Sequence, residues 1–273
     1  MATNRFDLAG LPSGALDGHP AAASLSRRDF TKRSVRAFLT ISLLEHLCHG
    51  NLLAADAKLT AVKWLNAVNQ IGLDLKGKKL KALEWQTQIE DLLQNQIELG
   101  ELLKFIDFER IEKNAMPVDH GAQSIRFKYP EIEGIPEKLV FGQQIFALKK
   151  GRSVVPHGHN NMATAFIVLK GNFHGRHYDR LSDEKDHMII RPTIDAPFGP
   201  GKTSSISDEK DNVHWFKAED EPAFIFNIHL LGVDADSPKR TGRVYVDPHG
   251  EKLDDGLIRA RLIDSDEAHE LYG

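Results

Sequence analysis

From about residue 123 onward the chain is a succession of short apolar runs, and that texture restricts the folds open to it. Ile125-Arg-Phe-Lys-Tyr129 alternates with period two, and further runs follow at 139–148, 165–173, 187–191, 213–217, 223–231 and Arg243–Val246. Glycine and proline clusters separate most of them. Period-two alternation sends successive side chains to opposite faces of a strand. Many short strands without intervening helices predict a sandwich or a barrel. The segment 199–205 superficially suggests a phosphate-binding loop, but the first glycine of that motif would fall on Ala196 and no helix follows. It reads as a loop between strands.

The preceding region has a different period. Residues 58–72 place Ala61, Trp64, Leu65, Val68 and Ile71 at helical spacing, and residues 80–112 do the same with Trp85, Ile89, Leu92, Leu99, Leu103 and Ile106. Gly77 marks a turn between them and Pro117 ends the region. Both tryptophans read as core. This helical region (58–117) either covers the barrel or forms a homodimer contact. Residues 249–273 read as a tail with a short helix around Leu257–Leu262.

Residues 1–25, rich in Ala, Gly, Pro and Ser, read as a disordered lead. Ser26-Arg27-Arg28-Asp29-Phe30-Thr31-Lys32 resembles the twin-arginine export motif, with Thr31 in place of its leucine. The apolar run Ala37–Leu44 and the small residues Ala54, Ala55 and Ala57 follow it, which predicts export to the periplasm. The same residues also read as a helix start, with Ser26 as N-cap and Asp29 as its partner, which leaves the chain cytoplasmic. Glu45 interrupts the apolar run, well short of the roughly 18 residues that span a membrane. A net charge of -4 over 273 residues gives no reason to expect nucleic acid as a partner. Cys48 is the single cysteine, so neither an intramolecular disulfide nor a thiolate zinc cluster is available.

His157-Gly158-His159 carries the chemistry. On a strand, residues two apart share a face, so two imidazoles point the same way. The pair lies in a frame from Gly151 to Gly171 that matches, in spacing, the first motif of the cupin superfamily, Gly-x5-His-x-His-x4-Glu-x6-Gly. Thr164 occupies the glutamate position. His214, in Asn212-Val213-His214-Trp215-Phe216, sits where the second cupin motif supplies another histidine. The resemblance implies a mainly β fold: a single cupin barrel, that is a double-stranded β-helix or jelly roll, over about 120–248, behind an α-helical N-terminal region.

Within that superfamily, His157 to Asp179 resembles the core of the plant cysteine oxidase and 2-aminoethanethiol dioxygenase family. The shared features are two ligand histidines, Met162, Gly171, His174 and the pair Tyr178-Asp179. Residues 212–218 resemble that family's third-ligand segment, and Arg243-Val-Tyr245 resembles the Arg and Tyr near its end. The resemblance implies metal ligation by His157, His159 and His214, Fe(II) as the metal, and a small thiol or N-terminal cysteine and O2 as partners. Two departures limit it. Asn227 stands near the family's catalytic aspartate, and Val233 lies where a tyrosine is expected.

Three neutral imidazoles leave a divalent ion its full charge and open coordination positions. Zn, Ni, Mn or Cu would suit the same ligands. The alternatives are therefore a metalloenzyme acting on a non-thiol substrate, such as another dioxygenase, a lyase or an isomerase, and a non-catalytic ligand-binding cupin. Tyr178, Arg176 and Asn227 are expected as outer catalytic groups, with His174, His229 and Thr164 behind the ligands. His174, Arg176 and Tyr178 share one strand face and His177 takes the other. The resemblance of His174 favours its own face as the inward one.

Overall fold

The computed structural model describes residues 60–273. The lead, the twin-arginine motif and its helix-start alternative lie outside the described residues. Four helices come first: α1 (Ala61–Lys76), α2 (Ala82–Gln94), α3 (Leu99–Phe105) and α4 (Phe108–Asn114). The stretch expected as one helical face over 80–112 is thus three helices. The last break is sharp, because Asp107 adopts a left-handed φ of 54° between α3 and α4.

Strands follow: β1 (Gln123–Ile125), β2 (Gly142–Leu148), β3 (Ser153–Asn160), β4 (Met162–Lys170), β5 (Phe173–Asp183), β6 (His187–Phe198), β7 (Thr203–Ile206), β8 (Val213–Ala218), β9 (Ala223–Leu231), β10 (Gly242–Lys252) and β11 (Ile258–Ile263). Helix α5 (Ser265–Tyr272) ends the chain. Five strands form one antiparallel sheet in the order β1-β2-β9-β4-β7. The other six close on themselves in the order β10-β11-β6-β5-β8-β3. The first sheet lies over β3, β8 and β5, which gives the double-stranded β-helix barrel that the sequence predicts.

Three apolar cores stack through the molecule. The helices cover the outer face of the five-stranded sheet, where Trp64, Leu65, Ile89 and Leu92 meet Ile145, Ala165, Ile167 and Phe226. The opposite face of that sheet supplies Phe146, Phe166, Val168 and Ile225 to the central core, against Phe173 and Phe216 of the facing strands. A third core, with Tyr178, Met188, Ile190, Val213, Trp215, Val246 and Ala260, fills the closed six-stranded ring. Strands β4 and β9 are buried on both faces, which explains their continuous rather than alternating apolar sequence.

Two expectations change. Residues 258–263 form β11, not a helix; the helix lies just beyond, capped by Asp264, whose carboxylate accepts the backbone N–H groups of Asp266 and Glu267. Strand β11 pairs with both β10 and β6, so the expected tail is part of the closed ring. The alternating 125–129 segment leaves the sheet after Ile125, and Phe127 and Tyr129 pack on the helices instead, with Tyr129 stacked on Phe105 at 5.4 Å. Among the described residues, no helix is long and apolar enough to cross a membrane.

Candidate metal centre

Strand β3 pairs with β8 through Val154↔Phe216 and His157↔His214, with a register shift between the two pairs. The irregularity re-aims the strand, so that Val154, His157 and His159 all line the same cavity. Gly158 is required by close packing. A Cβ there would lie 2.8 Å from Asn212 Oδ1 and 3.2 Å from a Val213 methyl. Asn212 holds this strand in place: its side-chain amide donates to the carbonyls of His159 (2.9 Å) and Ser207 (3.0 Å), and its Oδ1 accepts the His159 N–H (3.2 Å).

His157, His159 and His214 are all buried, and their ligand atoms lie within 4.8 Å of one another. Ring centroids are 4.4 Å apart for His157 and His214, 5.1 Å for His157 and His159, and 5.0 Å for His159 and His214. Each Nδ1 is engaged. His157 Nδ1–H donates to Val155 O at 2.7 Å, His159 Nδ1 lies 3.3 Å from Thr164 Oγ1, and His214 Nδ1 lies 3.4 Å from Asn212 O. These contacts favour the tautomer with an Nε2 lone pair free for a metal.

Burial is the main force holding His157 and His214 well below the usual imidazole range, and it brings His159 down to about 3. All three are therefore in the neutral, ligating form. The donor set fits a metal ion. His214 Nε2 is buried without a hydrogen-bond partner among the described residues, the kind of orphan that calls for a ligand. Two nitrogens bound at about 2.1 Å lie at most about 4.2 Å apart, so ring movements on the order of an ångström or less complete the site.

The histidines floor a cavity of about 210 Å³. Its opposite wall comes from the five-stranded sheet: Gln144, Phe146, Met162, Thr164, Phe166 and Asn227, with His229 and Leu231 further out. Thr164, at the glutamate position, provides a hydroxyl to His159 in place of a ligand. Asn227 and His229 face the same way and interact, with His229 Nδ1 3.3 Å from Asn227 Oδ1, which also accepts from Gln144 Nε2 at 3.3 Å. Gly142 makes room for this histidine, because a Cβ there would sit 2.3 Å from His229 Nε2.

The expected inward face of β5 is corrected. Its register sets His177 opposite His214 and Arg176 opposite Trp215, so His177 points toward the barrel interior and His174, Arg176 and Tyr178 point away. Tyr178 belongs to the third core, on the far side of the sheet. Arg176 lies over the Trp215 ring at 4.8 Å and donates to Asp195, which also takes His174 Nε2. The structure therefore does not bring Tyr178, Arg176 or His174 to the cavity. The sequence held the missing signal: Phe173 shares the parity of His177, and a phenylalanine is the better marker of an inward face.

No protein-family model matches this chain, and no curated protein sequence matches it. Among solved structures it is similar to procruciferin, an 11S globulin from Brassica napus, with 14% identity, a TM-score of 0.26, and coverage of 33% of this chain and 20% of that one. It is also similar to an uncharacterized conserved protein with a double-stranded β-helix domain from Klebsiella pneumoniae, with 13% identity, a TM-score of 0.30, and coverage of 49% and 85%. A third similarity is to a cupin superfamily protein from Desulfitobacterium hafniense, with 12% identity, a TM-score of 0.28, and coverage of 43% and 82%. The chain thus spans about a fifth of the procruciferin chain and most of each of the other two proteins.

Proposed function

We propose that this chain is a mononuclear metal cupin that oxidises a small thiol with O2 to a sulfinic acid, using Fe(II) held by His157, His159 and His214. One observation carries the reading: three buried, neutral imidazoles converge at the floor of a small cavity, and one has no protein partner for its Nε2. Bound Fe(II) supplies the redox chemistry, and its charge favours the thiolate over the thiol. In the overall reaction both atoms of one O2 join the thiol sulfur, which loses four electrons as O2 gains four, and the thiol proton ends on the sulfinic acid.

The protein's own part is positional. Phe146, Val154 and Phe166, all buried, give the cavity an apolar lining beside the histidines. Thr164 orients His159, and the Asn212 amide ties the ligand strand to β8. His229 is the one base among the lining residues besides the three histidines. That base favours a second reading, in which a different metal on the same ligands serves a lyase or isomerase and His229 moves a substrate proton.

Metal analysis of protein purified without added metal, followed by anaerobic Fe(II) loading, is the deciding experiment. Oxygen uptake with cysteine, cysteamine, 3-mercaptopropionate or an N-terminal-cysteine peptide, together with a sulfinate product by mass spectrometry, is the expected result. Iron-loaded protein that consumes no O2 with any of them overturns the thiol reading. His214→Ala is expected to abolish metal binding. Export by the twin-arginine route is consistent with a protein that folds around its metal before translocation, and mass spectrometry of the mature N-terminus tests it.

A further inference from the structure

Arg243 is placed unlike most other arginines of the barrel. It stands opposite His159 in the β10–β3 register, and directly opposed residues of an antiparallel pair share a face. It lines the cavity above the histidines. Arg180, Arg191, Arg259 and Arg261 each pair with a carboxylate. The Arg243 side chain has no ion-pair or hydrogen-bond partner among the described residues. Its charge is nonetheless felt inside, as one of the influences that depress His157, His159 and His229.

The charge inventory of the cavity is one-sided. Among the described residues no aspartate or glutamate lines it, and the three histidines contribute no negative charge once a metal binds. A divalent ion together with Arg243 gives the site an excess of about three positive charges. Leaving such charge uncompensated in a confined, largely apolar space is costly, and a guanidinium presents a fork of donors that matches a carboxylate. The volume, about 210 Å³, falls below the roughly 300–1,000 Å³ of drug-sized sites, and the walls between floor and mouth mix apolar side chains with the neutral polar groups of Gln144, Thr164 and Asn227. The complementary ligand is short, with an anionic end.

We propose that the site takes a small carboxylate whose other end reaches the metal, and that Arg243 at the mouth selects it by pairing with the carboxylate. Under the thiol reading above, on which only this part rests, the substrate is a short mercaptocarboxylate rather than an aminothiol. Selection of the carboxylate rests on Arg243 and on the absence of acidic lining residues.

The test is calorimetric titration of the Fe(II)-loaded protein without O2, so that binding is read apart from turnover. The probes are 3-mercaptopropionate, cysteamine (also a short thiol but cationic) and malonate, which has two carboxylates and no sulfur. Mercaptopropionate is expected to bind about tenfold to a hundredfold more tightly than cysteamine. Arg243→Gln removes that preference and weakens malonate, Arg243→Lys keeps part of both, and Arg243→Glu turns the preference toward cysteamine. Because Arg243 is exposed, these variants are expected to fold, and circular dichroism checks it. Equal, measurable binding of the two thiols, no binding of any probe, or a preference untouched by Arg243→Gln overturns the proposal. Malonate binding that depends on Arg243, with no thiol bound and no O2 uptake, sinks the thiol reading and sustains the carboxylate one.

Discussion

His177 stands directly across from His214 in the β5–β8 pairing, with the two rings 6.1 Å apart, and neither nitrogen of His177 has a hydrogen-bond partner among the described residues. It lies between Phe198 (6.0 Å, stacked) and Phe216 (5.4 Å, edge-on). A buried imidazole without partners costs roughly 1–3 kcal/mol. His177→Phe removes both orphans and adds a little volume. The variant is expected to gain about 1 kcal/mol, or a few degrees in Tm at this size, with metal affinity changed less than about tenfold. A large loss of stability by thermal unfolding would show that the imidazole holds a buried partner.

Thr164 is expected to act on the metal through His159. Thr164→Val removes the hydroxyl near His159 Nδ1, and metal affinity should fall about 10–100-fold, the usual effect of losing such a partner. Thr164→Glu places a carboxylate at the cavity wall. It should tighten metal binding and weaken malonate, because it cancels one positive charge. Competition with a chelator reads the first effect and calorimetry the second.

Gly158→Ala tests why a glycine separates the two histidines. The new methyl meets Asn212 Oδ1 at 2.8 Å, inside normal contact, so either Asn212 or the strand must move. Overpacking of this kind costs about 1–3 kcal/mol. Urea unfolding should show that loss, and metal stoichiometry should fall with it.

The third core is expected to be energetically separate from the site. Ile190 is fully buried in it, and Ile190→Ala should cost about 2–5 kcal/mol. Metal affinity measured well below the midpoint should stay unchanged, because the side chain lies on the other side of the sheet from the ligands. A parallel loss of affinity would refute that separation.

One acid-sensitive tether reaches the site. Arg180 donates to the His159 carbonyl (3.2 Å) and to Asn160 Oδ1 (2.7 Å), and it is held by Asp183. Hydrogen bonding from Arg180, aided by Lys239, lowers the Asp183 pKa below its usual value. A depressed carboxylate contributes stability above the unfolded-state pKa of about 3.9 and loses it as pH falls through the folded value. Urea midpoints of wild type and Asp183→Asn should therefore differ at pH 7 and converge below about pH 4. The gap is expected to be under about 1 kcal/mol because Asp183 is partly exposed.

The barrel was legible because its strands announce themselves by period and its histidines by spacing. Three local events were not. The register shift between Val154 and His157 changes parity without a sequence marker. The ring closed by β11 depends on pairing with β6, some 70 residues away in the chain, and the alternation of Ile258, Ala260 and Leu262 with Arg259 and Arg261 is too short to tell a strand from a helical turn. The inward face of β5 was misjudged because a resemblance at His174 outweighed the plainer apolar parity of Phe173 and His177. Periodicity reports burial against one neighbour, and β5 has a packed neighbour on each side.

That double packing has a consequence for how the site is entered. The strands that carry the histidines are wedged between the central core and the third core, so neither side of the slab is free to open. The exposed members of the cavity lining, Leu231 and Arg243, mark the rim as the way in. Selectivity can then drift by changes to a few rim residues while the floor and its supports stay fixed, so the chemistry and the choice of what reaches it are set by separable parts of the chain.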